Sequence, residues 1–508
     1  MRRPVLLAIV LAVCCACGAG PSVRPHVAVE REPGPVAPEE SVDDPAVDTP
    51  APLGVPEQDL AWGPCDAQLP APQGVTLECA QYEAQIDPGG ALPGSFTMGA
   101  LRARAANTPE DAAPLVFTSG SDRPSTELIG ELAAGGLGPL LAAHPIVAVD
   151  RRGTGSSTEI DCLPVQDRHD LADLGQFTIG SNDRVERLSA ISIEATVACT
   201  DYLQPQELTF DTAHAADDIE ALRLLWGVDT LGLIGSGNGA SVALAFAAKY
   251  PSNIGRLVLD SPEAVAVDAG TAAEHRVRGA EAALDAFAAQ CVALACSLGP
   301  DPRAALTDLV VRAREGRIPA TSSNAVLTAL TGTLAGGAGD RAARVRGLAD
   351  AASAALAGDP TPIGALANAA GADGDGRFVA RCTDAQQLPS GDRVREFQAE
   401  WAERYPVFGP EAALELVSCT AWPATPPPAM PAELDVPVLF LVGTGDPVAG
   451  GEGLPAVTGA VGNAGAPHST MTWHGSGHPA IQSECAQRAV VTYAADGTLP
   501  PGGSACPA

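Results

Sequence analysis

After residue 17 the sequence has no run of 18 apolar residues, so no later segment is expected to enter a membrane. Basic charge is scarce: 30 Lys and Arg stand against 61 Asp and Glu, a formal charge of -31. Such a chain repels a phosphate backbone, which excludes nucleic acid as a partner. No group of His, Cys, Asp and Glu has the spacing of a zinc site, so neither a metal nor a cofactor is expected. There is no internal repeat.

What is present begins with an export signature. Arg2 and Arg3 precede a short apolar run, Val5 to Val13, too short to span a bilayer but the length of a secretory signal. Cys14-Cys15-Ala16-Cys17-Gly18 follows and resembles a bacterial lipobox, with Cys17, or else Cys14, as the lipidated residue. Residues 1–17 are therefore expected to be a lipoprotein-type signal. Residues 18–60, rich in Pro, Glu, Asp and Val and almost free of aromatics, are expected to form a disordered tether. The membrane would then be met only through the lipid.

Three of the 13 cysteines lie in the leader. Ten remain: Cys65, Cys79, Cys162, Cys199, Cys291, Cys296, Cys382, Cys419, Cys485 and Cys506. An even number scattered along an exported chain argues for disulfides, although sequence leaves their connectivity open. Pairing between neighbours would close five local loops.

Past the tether the pattern alternates strand and helix. Val75 to Asp87 and Ser95 to Ala105 read as antiparallel edge strands. Leu115 to Thr118, Ile146 to Val149, Leu231 to Ile234, Leu257 to Leu259, Val438 to Val442 and Ser469 to Trp473 are short apolar runs of the kind buried in parallel sheets. Helical stretches such as Ala213 to Trp226 separate them, which implies a doubly wound sheet. Between Ser261 and Ala432 the pattern becomes helical: Leu306, Leu309, Val310 and Ala313 fall on one helix face, as do Val394, Phe397 and Trp401. An insertion there would roof the carboxyl ends of the sheet, where open α/β folds bind ligands. The expected division is core at 61–264, helical lid at 265–431 and core again at 432–508.

The most telling stretch is Leu231-Gly-Leu-Ile-Gly235-Ser236-Gly237-Asn238-Gly239-Ala240. An apolar strand feeds a Gly-x-Nu-x-Gly turn and then a helix stopped by Pro251, the context of the nucleophile elbow of an α/β-hydrolase. So sharp a turn needs small residues two before and two after the nucleophile; Gly235 and Gly239 meet this around Gly237. Placing the nucleophile at Ser236 would put Ile234 and Asn238 in the crowded positions. Ser236 is thus the alternative nucleophile, and Gly237 the degenerate one.

Several further segments, taken in order, resemble the secreted tripeptidyl-aminopeptidase-like branch of the α/β-hydrolases, related to prolyl aminopeptidases. They are Trp62-Gly-Pro-Cys65, Asp150-Arg151-Arg152-Gly153-Thr154-Gly155-Ser156, Ala216-Asp217-Asp218-Ile219-Glu220, Ser418-Cys419-Thr420-Ala421-Trp422-Pro423 and Gly443-Thr444-Gly445-Asp446-Pro447-Val448. The resemblance implies an α/β-hydrolase fold with a helical lid, a serine acyl-transfer mechanism and release of short amino-terminal peptides. It also implies that Asp446 is the acid and His478 the general base, in the chain order nucleophile, acid, histidine that this fold requires.

Two departures weigh against that chemistry. Gly237 stands where the family has serine. The glycine-rich loop that supplies an oxyanion donor is here Thr118-Ser119-Gly120-Ser121-Asp122-Arg123-Pro124-Ser125, in which only Gly120 and Ser125 keep their places and Asp122 brings a carboxylate; with Gly120, the oxyanion and elbow candidates are Asn238, Gly235 and Gly239. Whether Asp122 or Arg123 points inward is not decided by sequence. Loss of a triad serine costs about a million-fold in turnover, and one oxyanion donor a further factor of roughly 100 to 1,000. The expectation is a catalytically impaired or inactive protein whose lidded cleft binds peptide amino termini or a small ligand. The alternatives are an active peptidase using Ser236 or a water activated by His478, and an envelope protein with a purely structural role.

Overall fold

The computed structural model describes residues 51–65, 71, 73–336, 340–371 and 374–508. The expected signal, both candidate lipidation sites Cys14 and Cys17, and the tether as far as residue 50 lie outside the described residues. Residues 51–60, expected to belong to the tether, are instead docked on the core. Leu53 packs over Gly232 and Gly255, the Glu57 N–H donates to the carbonyl of Trp226 at 2.9 Å, Asp59 pairs with Arg102, and Leu60 is buried. Leu53 and Leu60, together with these polar contacts, dock the segment on the core.

Strands β1 (Val75–Gln85) and β2 (Ser95–Ala105) form an antiparallel pair. Then come β3 (Leu115–Thr118), helices α1 (Ser125–Gly135) and α2 (Gly138–Ala143), and β4 (Ile146–Val149). Helices α3 (Val165–Ala172), α4 (Arg184–Leu203) and α5 (Thr212–Trp226) lead to β5 (Leu231–Ser236), α6 (Gly239–Lys249) and β6 (Ile254–Asp260). Eight helices follow: α7 (Ala269–Ala293), α8 (Pro302–Arg314), α9 (Ser323–Ala335), α10 (Arg341–Leu356), α11 (Thr361–Ala369), α12 (Asp375–Asp384), α13 (Gly391–Arg404) and α14 (Gly409–Glu415). The chain closes with β7 (Val438–Gly445), α15 (Leu454–Asn463), β8 (His468–Ser476), α16 (Glu484–Asp496) and β9 (Ala505–Cys506).

The nine strands make one sheet in the order β1-β2-β4-β3-β5-β6-β7-β8-β9, antiparallel at β1, β2 and β4 and parallel from there on. This is an α/β-hydrolase fold. Every residue of β3, β4, β5 and β6 is buried, which is why these strands read as largely apolar runs rather than alternating ones, although β6 also buries Arg256 and Asp260. One face packs on α1, α2 and α16 through Leu128, Leu140, Val490 and Tyr493. The other packs on α5, α6 and α15 through Trp226, Phe246 and Val457. Helix α5 is capped at its start by the Asp211 carboxylate and ended by Gly227 at φ 70°, a left-handed position suited to glycine.

The inserted helices have a core of their own. Leu306, Leu309, Val310 and Ala313 of α8 are buried there with Val394 and Trp401 of α13, and Phe397 stacks on Trp401 at 5.0 Å. The lid is larger than the span between residues 265 and 431. Val185, Leu188 and Ile191 of α4 belong to the same apolar cluster, and Arg395 reaches Asp183 at 2.7 Å. Helix α4 lies in sequence between core strands, and only packing reveals that its first half faces the insertion while Ala195, Cys199 and Leu203 join the core beside the sheet.

All ten cysteines from Cys65 onward are paired, each with its neighbour: Cys65–Cys79, Cys162–Cys199, Cys291–Cys296, Cys382–Cys419 and Cys485–Cys506. Five disulfides are consistent with an oxidising compartment. Among the described residues no helix is long and apolar enough to cross a membrane, and no cluster of residues could hold a metal ion.

Candidate active site

The carboxyl ends of β3, β5, β6, β7 and β8 converge below the lid. At the end of β5 the chain turns through Gly237, at φ +55°, and enters α6. A Cβ on Gly235 would fall on the carbonyl oxygen of Gly239, and one on Gly239 on that of Thr118. Both flanking positions thus demand glycine, which sets the apex of the turn at residue 237. A Cβ there would lie 3.2 Å from Nε2 of His478, and it would also collide with Oδ2 of Asp122.

His478 follows β8 and is buried. Its Nδ1 meets Asp446 Oδ2 at 2.9 Å, while Asp446 Oδ1 accepts the N–H groups of Val448 and Ala449 at 2.8 and 2.9 Å. Burial alone would depress the proton affinity of the imidazole, but the Asp446 carboxylate, helped by Asp122 and Asp260, outweighs it and pushes His478 up to about 9. Burial likewise opposes ionisation of Asp446, yet His478 and the two backbone donors hold it below the usual carboxylate range. The predicted acid and base are together and oriented as a pair.

Ser236 is fully buried, with Oγ 3.4 Å from Nε2 of His478. Sequence reasoning missed Asp260, at the end of β6. Its carboxylate accepts the N–H groups of Ala480 and Ile481, both at 2.8 Å, and so fixes the turn that carries His478. Burial raises Asp260 to about 6. The only sequence signal for it was an acidic residue closing an apolar run.

The loop after β3 differs from expectation. Gly120 was a candidate oxyanion donor, but its N–H turns to Thr118 Oγ1 at 3.2 Å, and the N–H of Ser121 is taken by Asn238 Oδ1 at 3.0 Å. Gly120, at φ +62°, is needed for close approach instead, since a Cβ there would strike Asn238. Asp122 points inward: its Oδ2 accepts the Asn238 N–H at 2.7 Å. Burial and the nearby Glu263 raise its carboxyl to about 6. Arg123 points away and forms a two-pronged pair with Glu131 at 2.8 and 3.0 Å, so it does not neutralise Asp122.

Above this floor lies a cleft of about 1070 Å³, bordered by Asp122, Asn238 and His478 below and by Val277, Leu327 and Phe408 of the lid. Its position over the strand ends is that of ligand sites in this class of fold.

Residues 130–316 match the family described as alpha/beta hydrolase fold, and residues 405–506 match the TAP-like protein family. The chain has an α/β-hydrolase fold and is similar to TAP-like proteins over its C-terminal part. Serine protease Hip1 of Mycobacterium tuberculosis is 26% identical over 331 residues, which take in 58% of this chain and 61% of that protein; the Mycobacterium bovis protein of the same name matches equally. The match thus spans less than two thirds of these relatives' length. Among solved structures, an esterase from Rhodococcus sp. ECU1013 is 16% identical with a TM-score of 0.34, covering 82% of this chain and 98% of its own. Esterase E22 is 12% identical with a TM-score of 0.36, covering 83% and 100%.

Proposed function

We propose that this TAP-like chain is an exported protein of the cell envelope in which covalent acyl chemistry is lost or severely impaired, while the lidded cleft still takes up peptide amino termini or a small apolar ligand. One observation carries the reading: the apex from which a side chain would reach His478 is Gly237, with no side chain to offer. The Asp446–His478 pair therefore has no hydroxyl above it to activate from the apex. The remaining base and the cleft can bind, and their contribution without a nucleophile is small beside the million-fold that a triad serine supplies.

Turnover of aminoacyl and tripeptidyl anilides by the full chain tests this. The reading expects release indistinguishable from that of a His478→Ala variant; turnover that vanishes with His478→Ala would overturn it.

A second reading has its own observation, the 3.4 Å approach of Ser236 Oγ to His478 Nε2. In that reading Ser236 is the nucleophile. Its complete burial below the turn works against it, because a substrate carbonyl must come within about 3 to 3.5 Å of the attacking oxygen. Loss of all turnover in Ser236→Ala alone would establish it.

Export and anchoring rest on the leader and on the five disulfides. Cys17 is the proposed lipid attachment site, and incorporation of labelled palmitate that disappears in Cys17→Ala is the expected result; unchanged incorporation would move the site to Cys14.

A further inference from the structure

We infer that Asp122 is a second block on this site, independent of Gly237: its carboxylate occupies the oxyanion position and acts as a built-in stand-in for the charged intermediate. The inference rests on the reading that Gly237 replaces the nucleophile, and extends it to the loop after β3. In this fold the oxyanion is held by the N–H of the residue after the nucleophile and by an N–H from that loop. The first of these is the Asn238 N–H, and Asp122 Oδ2 takes it at 2.7 Å. The loop N–H groups of Gly120, Ser121 and Asp122 are spent on Thr118, Asn238 and Ser119. A substrate carbonyl entering the site finds no free donor among these.

The charges repeat the pattern of the reaction's high-energy state. A tetrahedral intermediate places a negative oxygen on the backbone donor and a protonated imidazole beside it, backed by a carboxylate. Here the negative oxygen is Asp122, the imidazole is His478, and the backing carboxylate is Asp446. Asp122 is held there rather than resting by chance. The loop is pinned on the elbow by Ser121 Oγ and N–H on Asn238 Oδ1, and from the lid side by Arg377 Nε on the Ser121 carbonyl at 3.2 Å. The same carboxylate lies where a side chain on residue 237 would begin, so the two blocks reinforce each other. Restoring serine alone drives its Cβ into Asp122 Oδ2 and leaves the oxyanion position filled.

Two measurements test the inference. In the first, fluorophosphonate labelling rates are compared for the parent, Gly237→Ser, Asp122→Gly and the double variant. The double variant is expected to label at least roughly 100-fold faster than Gly237→Ser, the factor attached to one oxyanion donor. Equal rates in the two would overturn the role of Asp122, whereas labelling of the parent would overturn only the reading of Gly237. The second needs no nucleophile. Asp122→Gly removes what is chemically an acetate group, so added acetate is expected to refill the position and shift the His478 ring signals saturably in NMR, with no such shift in the parent. Acetate that moves neither protein's signals, or both alike, would overturn the inference.

Discussion

Nδ1 of His478 and Oδ2 of Asp446 lie 2.9 Å apart, buried, in the orientation that prepares a histidine to take a proton from a neighbouring hydroxyl. The apex of the elbow offers no such hydroxyl. What the pair retains is a strong electrostatic coupling, and this has a consequence for stability that can be measured.

The folded state holds His478 up to about 9, above its ordinary value of 6.5. A group whose proton is bound more tightly in the folded state stabilises it fully below the unfolded value, and that contribution is lost as pH rises through the folded one. The stability difference between the parent and His478→Gln is therefore expected to be constant below about pH 6.5 and to shrink by up to roughly 3 kcal/mol as pH climbs through about 9. Denaturant unfolding at a series of pH values reads it; a difference that does not vary with pH would show that His478 is not charged in the folded state.

Asp122 carries the same sign for a different reason. Burial raises it to about 6, so its protonated form is the one the fold prefers, and its contribution is present at low pH and lost as pH rises through about 6. Asp122→Asn, which can still accept the Asn238 N–H, is expected to be more stable than the parent by about 1 to 3 kcal/mol at pH 7.5 and to lose most of that advantage by pH 4. The comparison is again by denaturant unfolding, and a variant less stable at pH 7.5 would contradict it.

The elbow glycines are expected to be intolerant for steric reasons alone. Gly235→Ala and Gly239→Ala each drive a methyl into a backbone carbonyl, and each should cost more than about 2 kcal/mol. Gly347→Ala, inside α10 with nothing near the added carbon, should instead gain about 0.5 to 1 kcal/mol from helix propensity. Thermal melts of the three variants test the contrast. A tolerated Gly235→Ala would remove the argument that places the apex at residue 237.

The disulfide between Cys382, on lid helix α12, and Cys419 closes a loop with a sequence separation of 37. Replacing both cysteines by serine is expected to cost about 2 to 4 kcal/mol. Proteolysis should then cut first between residues 375 and 419, and a cleavage pattern identical to the parent's would show that the bridge does not hold this part of the lid.

Much of this was legible in sequence because the physics is local. Strands buried on both faces show as apolar runs, so Leu115 to Thr118 and Ile146 to Val149 coincide with β3 and β4. Gly227 marks the end of α5, and the spacing of glycines locates the elbow. The short strand β9 was not readable, since Ala505 and Cys506 pair with β8 only through the context of the sheet. Nor was the direction of Asp122, which depends on how a loop folds over the Asn238 N–H, or the docking of the first half of α4 on the lid, which depends on a partner more than 200 residues away, such as Asp183 with Arg395 at a separation of 212. Asp260 was invisible for the same reason: its work is done on Ala480 and Ile481, far along the chain.

No side chain of this site is expected to attack a carbonyl or an equivalent centre. Intact-mass spectrometry of the parent protein after prolonged exposure to a fluorophosphonate tests it most directly. An unchanged mass is expected; a stoichiometric adduct, mapped to Ser236 or to any other residue lining the cleft, would show that an attacking nucleophile remains.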